Sequence, residues 1–537
     1  MSRHFLRIYL LLFILGLMNM GESKSALAQS PDGSWSDFEN ISDTPTASTY
    51  PCIVTDKQGY VHVLWSEDVG GVTDNPLKNP DGTPVLDPSG NPLNYLTNSG
   101  NTLYYTRWEG KDWTEPIDVQ VNPSGNIQYP RAAIDPVGVL HVIWVSTYGE
   151  ATQLQYSRVL ANKADSPQEW SQSKVLVERT LYALYPADIA ADTEGGLHIL
   201  YFKLGENPGA YVINSSDGGD TWSDPLQIYQ TQDSRGSIEG ISSVELVIDQ
   251  KNRIHATWTR FDISGNGKAI YYSQSTDLGK TWSQPFEVAK WQPGWYETDW
   301  LSAGVVGDEV HLVWEGGQIA YQNERISNDG GKTWGENVFI LQNLVGENGF
   351  ANLVVDSANH LHMLIVKRAD PGAYAHGVWY TTWDRGQWVD PILLGTRNLL
   401  LYEKASKLDQ KSLQAITRGT FTGNGLRYQM SGIVNGNQLF VVVVNEYDGD
   451  IWSSHTTLDA PFISPYPYAT PTPLPSLQPL STPTETVINS TPTVEFQTNE
   501  PVQEVGTQPA DILLLGVIPA LFVVAGIIFF IFFYKRS

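Results

Sequence analysis

An aspartate and a histidine recur six residues apart along this chain, at Asp56 and His62, Asp135 and His141, Asp192 and His198, Asp249 and His255, and Asp356 and His362. Each pair sits in the same setting, an apolar run, a tight turn carrying glycine or asparagine, and a second apolar run, as in AAIDPVGVLHVIWV at 132–145 and IAADTEGGLHILYF at 189–202. His311 keeps the second half of the pattern after a shortened turn, and 436–444 keeps the strand with Phe440 in the histidine's place, which makes seven copies. A repeat of this kind predicts an array of small units, each opening with a strand, a turn and a second strand.

Every copy continues into a third strand, such as LYYTRW at 103–108 or AIYYSQS at 269–275. A turn follows, then a fourth strand opened by Trp113, Trp170, Trp222, Trp282, Trp334 or Trp388. Four strands per unit describe a propeller blade. The seventh copy has no fourth strand after DIWSSH at 450–455, whereas SWSDFENI at 34–41 is an orphan strand with Trp35 in the usual place. The expected fold is therefore all-β, a seven-bladed β-propeller within residues 29–460, closed by its N-terminal strand; six-bladed closure is the alternative.

Three blades carry the octet SxDxGxxW between third and fourth strands: Ser215, Asp217, Gly219 and Trp222; Ser275, Asp277, Gly279 and Trp282; Ser327, Asp329, Gly331 and Trp334. The aspartates can accept hydrogen bonds from backbone N–H groups of their own turn, and the glycines can adopt the positive φ such a turn needs. The octet holds no catalytic group. It resembles the Asp-box, or BNR, repeat of sialidases and related β-propellers, a resemblance that covers the propeller and implies that the octets lie on the face opposite the functional one.

The functional face then carries the loops before each first strand and after each second strand. Five positions past the repeat histidines stand Glu67, Ser146, Lys203, Arg260, Gly316, Lys367 and Asn445, and the flanking loops add Arg131, Arg235, Glu239, Glu297, Asp299, Glu347, Asp68, Tyr148, Asp262, Glu315, Arg368 and Asp370. A sialidase holds a substrate carboxylate with three arginines, whose forks pair bidentately, and uses a tyrosine nucleophile activated by a glutamate, with an aspartate as acid/base. Chosen by their place in the propeller and not by motif, the candidates for the arginines are Arg131, Arg260 and Arg368, and those for the chemical groups are Tyr148 with Glu67 or Glu315, and Asp68. The (F/Y)RIP tetrapeptide of sialidases is absent; YPRA at 129–132, beside YPCI and YPAD, marks YP as a blade signature.

The ends of the chain read differently. Arg3 and Arg7 precede an apolar run at 8–18 and an Ala26-Leu27-Ala28 cleavage site, so residues 1–28 read as a signal peptide, with an uncleaved anchor as the other reading. Residues 461–511 are rich in Pro, Thr and Ser and read as an extended, disordered stalk. Residues 512–534 are apolar enough to span a bilayer as one transmembrane helix, and Lys535 and Arg536 place 535–537 in the cytoplasm, leaving the propeller extracellular.

A single cysteine, Cys52, rules out a disulfide framework, and a net charge of −25 argues against nucleic acid as a partner. The repeat histidines belong to separate blades, which favours structural hydrogen bonding over a metal centre. No CxxC, HExxH, phosphate loop or GxSxG elbow occurs, and no cofactor is implied. The insertions at 74–101 and 398–424 are long enough to be functional or simple surface decoration. The expectation is a cell-surface, sialidase-like propeller that binds an extracellular glycan or protein ligand at its channel mouth; the alternative is an exo-sialidase acting on terminal acidic sugars.

Overall fold

The apolar runs on either side of the repeat turns, three of them Asp-x-x-Gly and two Asp-x-x-Asn, form the first two strands of seven antiparallel sheets. The computed structural model describes residues 35–67, 101–122, 126–148, 151–181, 185–203, 207–231, 240–262, 266–317, 321–344, 350–368, 376–394, 430–444 and 449–466. Blade 1 comprises Ser48–Thr55, Val61–Glu67, Thr102–Trp108 and Ile117–Val121. Blades 2 to 5 repeat the order, with first strands Asn126–Ile134, Tyr185–Ala191, Gly240–Ile248 and Tyr296–Val306. Blade 6 starts at Phe350–Val355 and splits its outer strand into Gln387–Trp388 and Ile392–Leu393. Seven blades replace the six-bladed alternative.

Blade 7 joins Ser431–Val434, Gln438–Val444 and Ile451–Thr457 to the N-terminal strand Glu39–Asn40. Glu39 pairs with Ser453 and Asn40 with Trp452. The Ser36 N–H extends the ladder to the His455 carbonyl at 2.8 Å, and the Ile41 N–H reaches the Ile451 carbonyl at 2.8 Å. Trp35 packs edge-on against Tyr380 of blade 6, ring centroids 5.3 Å apart. The predicted closure of the ring is thus present, strand and tryptophan alike.

The core lies between blades. Three positions past five of the six repeat histidines stand Trp65, Trp144, Tyr201, Trp258 and Trp314, all at most 3% exposed, and Ile365 follows the sixth. Each packs on the preceding blade: Trp258 on Leu200 and Phe202, Trp314 on Ile270 and Tyr272. An aromatic side chain buries about 150–250 Å², so at about 25 cal/mol per Å² each plug contributes roughly 4–6 kcal/mol of gross burial.

The octets form one turn three times. In the second, Ser275 Oγ donates to Asp277 Oδ1 at 2.8 Å and accepts the Gly279 N–H at 2.9 Å, while Thr281 donates its N–H and hydroxyl to Asp277 at 2.8 and 2.6 Å. The threonine hydroxyls hold the Asp277 and Asp329 carboxyls below the usual carboxylate range. The fourth strands begin four residues after the tryptophans, at Leu226, Phe286 and Val338, so Trp222, Trp282 and Trp334 do not open them. Trp222 meets Tyr156 of blade 2 at 5.4 Å and Trp334 meets Tyr272 of blade 4 at 4.9 Å. The octet is therefore a clamp between blades as well as a turn. A Cβ at Gly219 would lie 2.0 Å from the Tyr156 hydroxyl, and one at Gly331 would lie 1.8 Å from that of Tyr272, so both sites need glycine for clearance as well as for φ.

Those tyrosines end a relay inside each blade. His141 meets Tyr156 OH at 2.7 Å and Asp135 Oδ2 at 3.3 Å; His362 meets Tyr380 OH at 2.9 Å and Asp356 Oδ2 at 3.1 Å. His62 meets Tyr105 OH at 2.8 Å and His255 meets Tyr272 OH at 2.7 Å, while His198 uses Asn214 instead, at 2.8 Å. At His311, Glu324 and Glu309 take these places at 2.8 and 2.6 Å. Apart from His62 Nε2, which lies 3.4 Å from Asp56 Oδ2 but is too poorly aligned for a hydrogen bond, the ring nitrogens of these six histidines are committed to hydrogen bonds within their blades, and among the described residues no group of three potential ligands gathers around a metal position.

Burial lowers His62 and His141 below the ordinary histidine value of 6.5, against the pull of Asp56 and Asp135. The folded state keeps both neutral while the unfolded chain takes up protons, so their contribution is present above about pH 6.5 and lost as pH falls. His311 has the opposite sign: burial lowers it, but Glu324 and Glu309 outweigh burial and raise it, so its contribution fades as pH rises through the folded value. The change in urea midpoint from about pH 7 to pH 5 should be less unfavourable for His141→Gln than for the parent, in which His311 works in the opposite direction; equal slopes would contradict this assignment.

Among the described residues no helix is long and apolar enough to cross a membrane. Residues 1–34 and 467–537 lie outside the described residues, as do the two insertions apart from Asn101. The chain stays bound to the propeller past residue 460: the Ile463 N–H donates to the Asn435 carbonyl at 2.8 Å, the Tyr466 N–H to the Lys57 carbonyl at 3.0 Å, and Ser357 Oγ to the Pro461 carbonyl at 2.5 Å.

Candidate functional site: the central channel and its mouth

Antiparallel order puts the turns between first and second strands at the same end of the ring as the octets, between third and fourth. The opposite end carries the starts of the first strands and the ends of the second. There the first strands are bulged: register shifts separate Thr49 from Cys52, Gln128 from Arg131, Tyr185 from Asp188, Ser242 from Glu245 and Asp299 from Ser302. Tyr50, Tyr129, Ser243 and Trp300 take positive φ of 55°, 54°, 47° and 58° inside these bulges. The YP signature thus marks a bulge, a device that re-aims the residues following it.

Just past each bulge the strands place Cys52, Arg131, Asp188, Glu245 and Ser302 at equivalent register positions, and Asn352 and Met430 complete the set. Neighbouring blades are tied along this belt. Asp188 Oδ2 accepts the Leu246 N–H at 2.8 Å, Glu245 Oε2 the Ala303 N–H at 2.6 Å, and Ser302 Oγ the Leu353 N–H at 3.1 Å; Ser431 Oγ donates to Asn352 Oδ1. Arg131 is 3% exposed, with Nε 4.0 Å from Asp188 Oδ1 and Nη1 donating to the Pro130 carbonyl at 3.0 Å. Cys52 is a fully buried free thiol; burial, only partly offset by Arg131, pushes it up to about 12.

Between this belt and the octet end lies a cavity of about 480 Å³, lined by Arg131, Asp188, Glu245, Asn352 and Ser431 above and by Gln250, Asp356 and Asn359 below. Gln250 Nε2 donates to Asn359 Oδ1 at 3.4 Å, joining the turns of blades 4 and 6.

The sequence candidates are distributed over different surroundings. Arg131 lines the channel cavity; Glu67, Arg260 and Glu315 are not among its lining. Glu67 is fully buried, with Oε1 accepting from the Thr44 and Thr46 hydroxyls at 2.7 and 2.5 Å and Oε2 from the Ser48 hydroxyl and the Trp65 indole, both at 2.7 Å. Trp144 donates likewise to Ser146 at 3.1 Å, so in blades 1 and 2 the position five past the histidine meets the indole three past it. Arg260 follows the same alternation and acts electrostatically on Tyr271, in the layer between blades 3 and 4. Glu315 is 5% exposed and is paired across the strand with Asp299, which accepts a hydrogen bond from Ser243 Oγ at 2.8 Å. The strands of Tyr148 and Arg368 are present, but their side chains lie outside the described residues, as does Asp68.

No family model matches this chain, and no curated protein matches it. Among solved structures, an ulvan lyase of a polysaccharide lyase family is similar at a TM-score of 0.50 and 10% identity, covering 79% of this chain and 96% of its own. A Dyadobacter fermentans protein of unknown function gives a TM-score of 0.44 at 14% identity over 80% of this chain and 100% of its own. The intramolecular trans-sialidase of Ruminococcus gnavus gives 0.37 at 10% identity over 79% and 96%. What is shared with the lyase is the fold.

One part of the mouth that the sequence reading did not single out is the connection between blades 4 and 5. Glu297, Asp299 and Asp262 were placed at the mouth from sequence, but Trp291, Trp295, Tyr296 and Lys268 were not. The signal was present in WQPGWY at 291–296, three aromatic residues around a Pro-Gly turn.

Proposed function

We propose that this protein is a cell-surface β-propeller that binds an extracellular glycan at the channel mouth opposite the octets. The observation that carries the reading is the exit of the chain. Residues 461–466 run across the first-to-second strand turns of blades 6, 7 and 1, on the octet end, with Ser357, Asn435 and Lys57 as partners. The stalk expected at 461–511 thus begins with six residues held to the propeller. These six residues cross the octet end and not the mouth, while cleavage near residue 28 would free the N-terminal strand to close the ring. The rim chemistry, aromatic rings beside carboxylates, supports a sugar over a protein partner; the fold shared with a polysaccharide lyase agrees with it.

The exo-sialidase reading asks Arg131, Arg260 and Arg368 to converge on one carboxylate beside Tyr148 and a glutamate base. Arg131 faces Asp188 in the channel, and Glu67 already accepts four hydrogen bonds. The full chain is expected to release no fluorophore from a fluorogenic sialoside. Turnover that disappears in both Arg131→Ala and Arg260→Ala would establish the glycosidase reading in its place.

A further inference from the structure

We propose that the rim between blades 4 and 5, built from Trp291, Trp295, Tyr296, Glu297, Asp262 and Lys268, is a subsite for a neutral or N-acetylated pyranose. This deepens the glycan reading above and rests on it. The segment links the outer strand of blade 4, Phe286–Lys290, to the first strand of blade 5, Tyr296–Val306, and so lies at the mouth end.

Its shape is fixed before any ligand arrives. Pro293 and Gly294, with φ 87° at the glycine, form a tight turn closed by the Trp295 N–H on the Gln292 carbonyl at 3.0 Å. The Trp291 indole N–H bonds the Trp295 carbonyl at 2.9 Å, and the Trp291 backbone N–H bonds the Lys268 carbonyl at 2.8 Å. The Lys268 ammonium lies 3.7 Å from the centre of the Trp291 ring and 3.3 Å from Asp262, which itself accepts the Asn266 N–H at 3.2 Å. Rings held this way lose little freedom on binding.

The chemistry selects the ligand class. Tyr296 is 46% exposed, and among the described residues it is the one markedly exposed aromatic ring at the mouth end, since Phe286 and Phe339 lie on outer strands and Phe462 and Tyr466 on the exit segment. An aromatic face suits the C–H face of a pyranose, and carboxylates accept hydrogen bonds from its hydroxyls. The local charge is acidic: Asp262, Glu297, Asp299 and Glu315 stand against Lys268 and Arg260, and Lys268 is already paired. Partial burial first, and the neighbouring Asp299 second, raise the Glu297 carboxyl, while Lys268 pulls the other way. A sugar carboxylate would add to that repulsion, whereas a neutral or N-acetylated ring would not.

The test titrates the full chain with the trimer of N-acetylglucosamine, with cellotriose and with trigalacturonate, read by tryptophan fluorescence and calorimetry. The expected result is saturable binding of at least one uncharged trimer, with trigalacturonate at least tenfold weaker. Tyr296→Ala should weaken the uncharged trimer tenfold or more without moving the thermal midpoint, and Glu297→Gln should narrow the discrimination against trigalacturonate. Equal or tighter binding of trigalacturonate overturns the proposal, as does unchanged affinity in Tyr296→Ala; both outcomes leave the glycan reading standing. Binding of no trimer overturns the glycan reading together with this subsite.

Discussion

Glu67→Ala is expected to lower the free energy of unfolding by about 3–5 kcal/mol, because the substitution strands several buried donors at once. The Glu67 carboxylate is fully buried and binds Thr44, Thr46, Ser48 and Trp65. Thr44, Thr46 and Ser48 form the segment that leads from the closing strand into blade 1, so Glu67 holds the two ends of the ring in register. Glu67→Gln keeps the shape and one acceptor but turns the other into a donor facing donors, so it should recover only part of the loss. Urea midpoints of the three proteins check the order. A Glu67→Ala protein as stable as the parent would remove the carboxylate from its structural place and return it to the candidates for chemistry.

Deletion of residues 35–41 is the second large effect, on the order of 5 kcal/mol or more when the lost ladder bonds and the Trp35 contact are taken together. It would leave Ile451–Thr457 as an unpaired edge, a template for association with other chains. The expected outcome is loss of cooperative unfolding and appearance of oligomers in sizing chromatography; a monomeric, cooperatively unfolding product would show that the ring closes without this strand. The clasp has a pH signature of its own. Asp450 accepts from Asn40 Nδ2 at 2.8 Å and Ser42 Oγ at 3.1 Å, yet burial outweighs these donors and pushes its carboxyl from 3.8 up to about 6. Because the folded value is raised, this contribution is complete below the ordinary value and is lost as pH rises through about 6.

The ring was legible in the sequence because its determinants are local and repeated. Asp-x-x-Gly turns, alternating strands and octets each fix a short stretch of backbone, and Trp35 without a blade of its own pointed to closure. What could not be read was direction. Glu67 and Arg260 sit where a mouth residue is expected along the chain, but the period-2 alternation puts them on the strand face of Trp65 and Trp258, where Glu67 takes the Trp65 indole N–H and Arg260 acts electrostatically on Tyr271. Arg131 is one position past a bulged Tyr-Pro pair, and the bulge turns it into the channel beside Asp188. Bulges of this kind shift the count by a residue without altering composition, so spacing from the histidines placed the candidates near the mouth without showing which surface each one faces. The Trp291–Tyr296 rim went unread for the opposite reason: it belongs to no repeat.

Hydrogen exchange of the full chain with and without the trimer of N-acetylglucosamine most directly tests which end of the ring takes the ligand. The account predicts new protection around 291–298 and at the second-strand ends near 260–262, with no change in the octets at 215–222, 275–282 and 327–334. Protection confined to the octets, on the face crossed by residues 461–466, would contradict it.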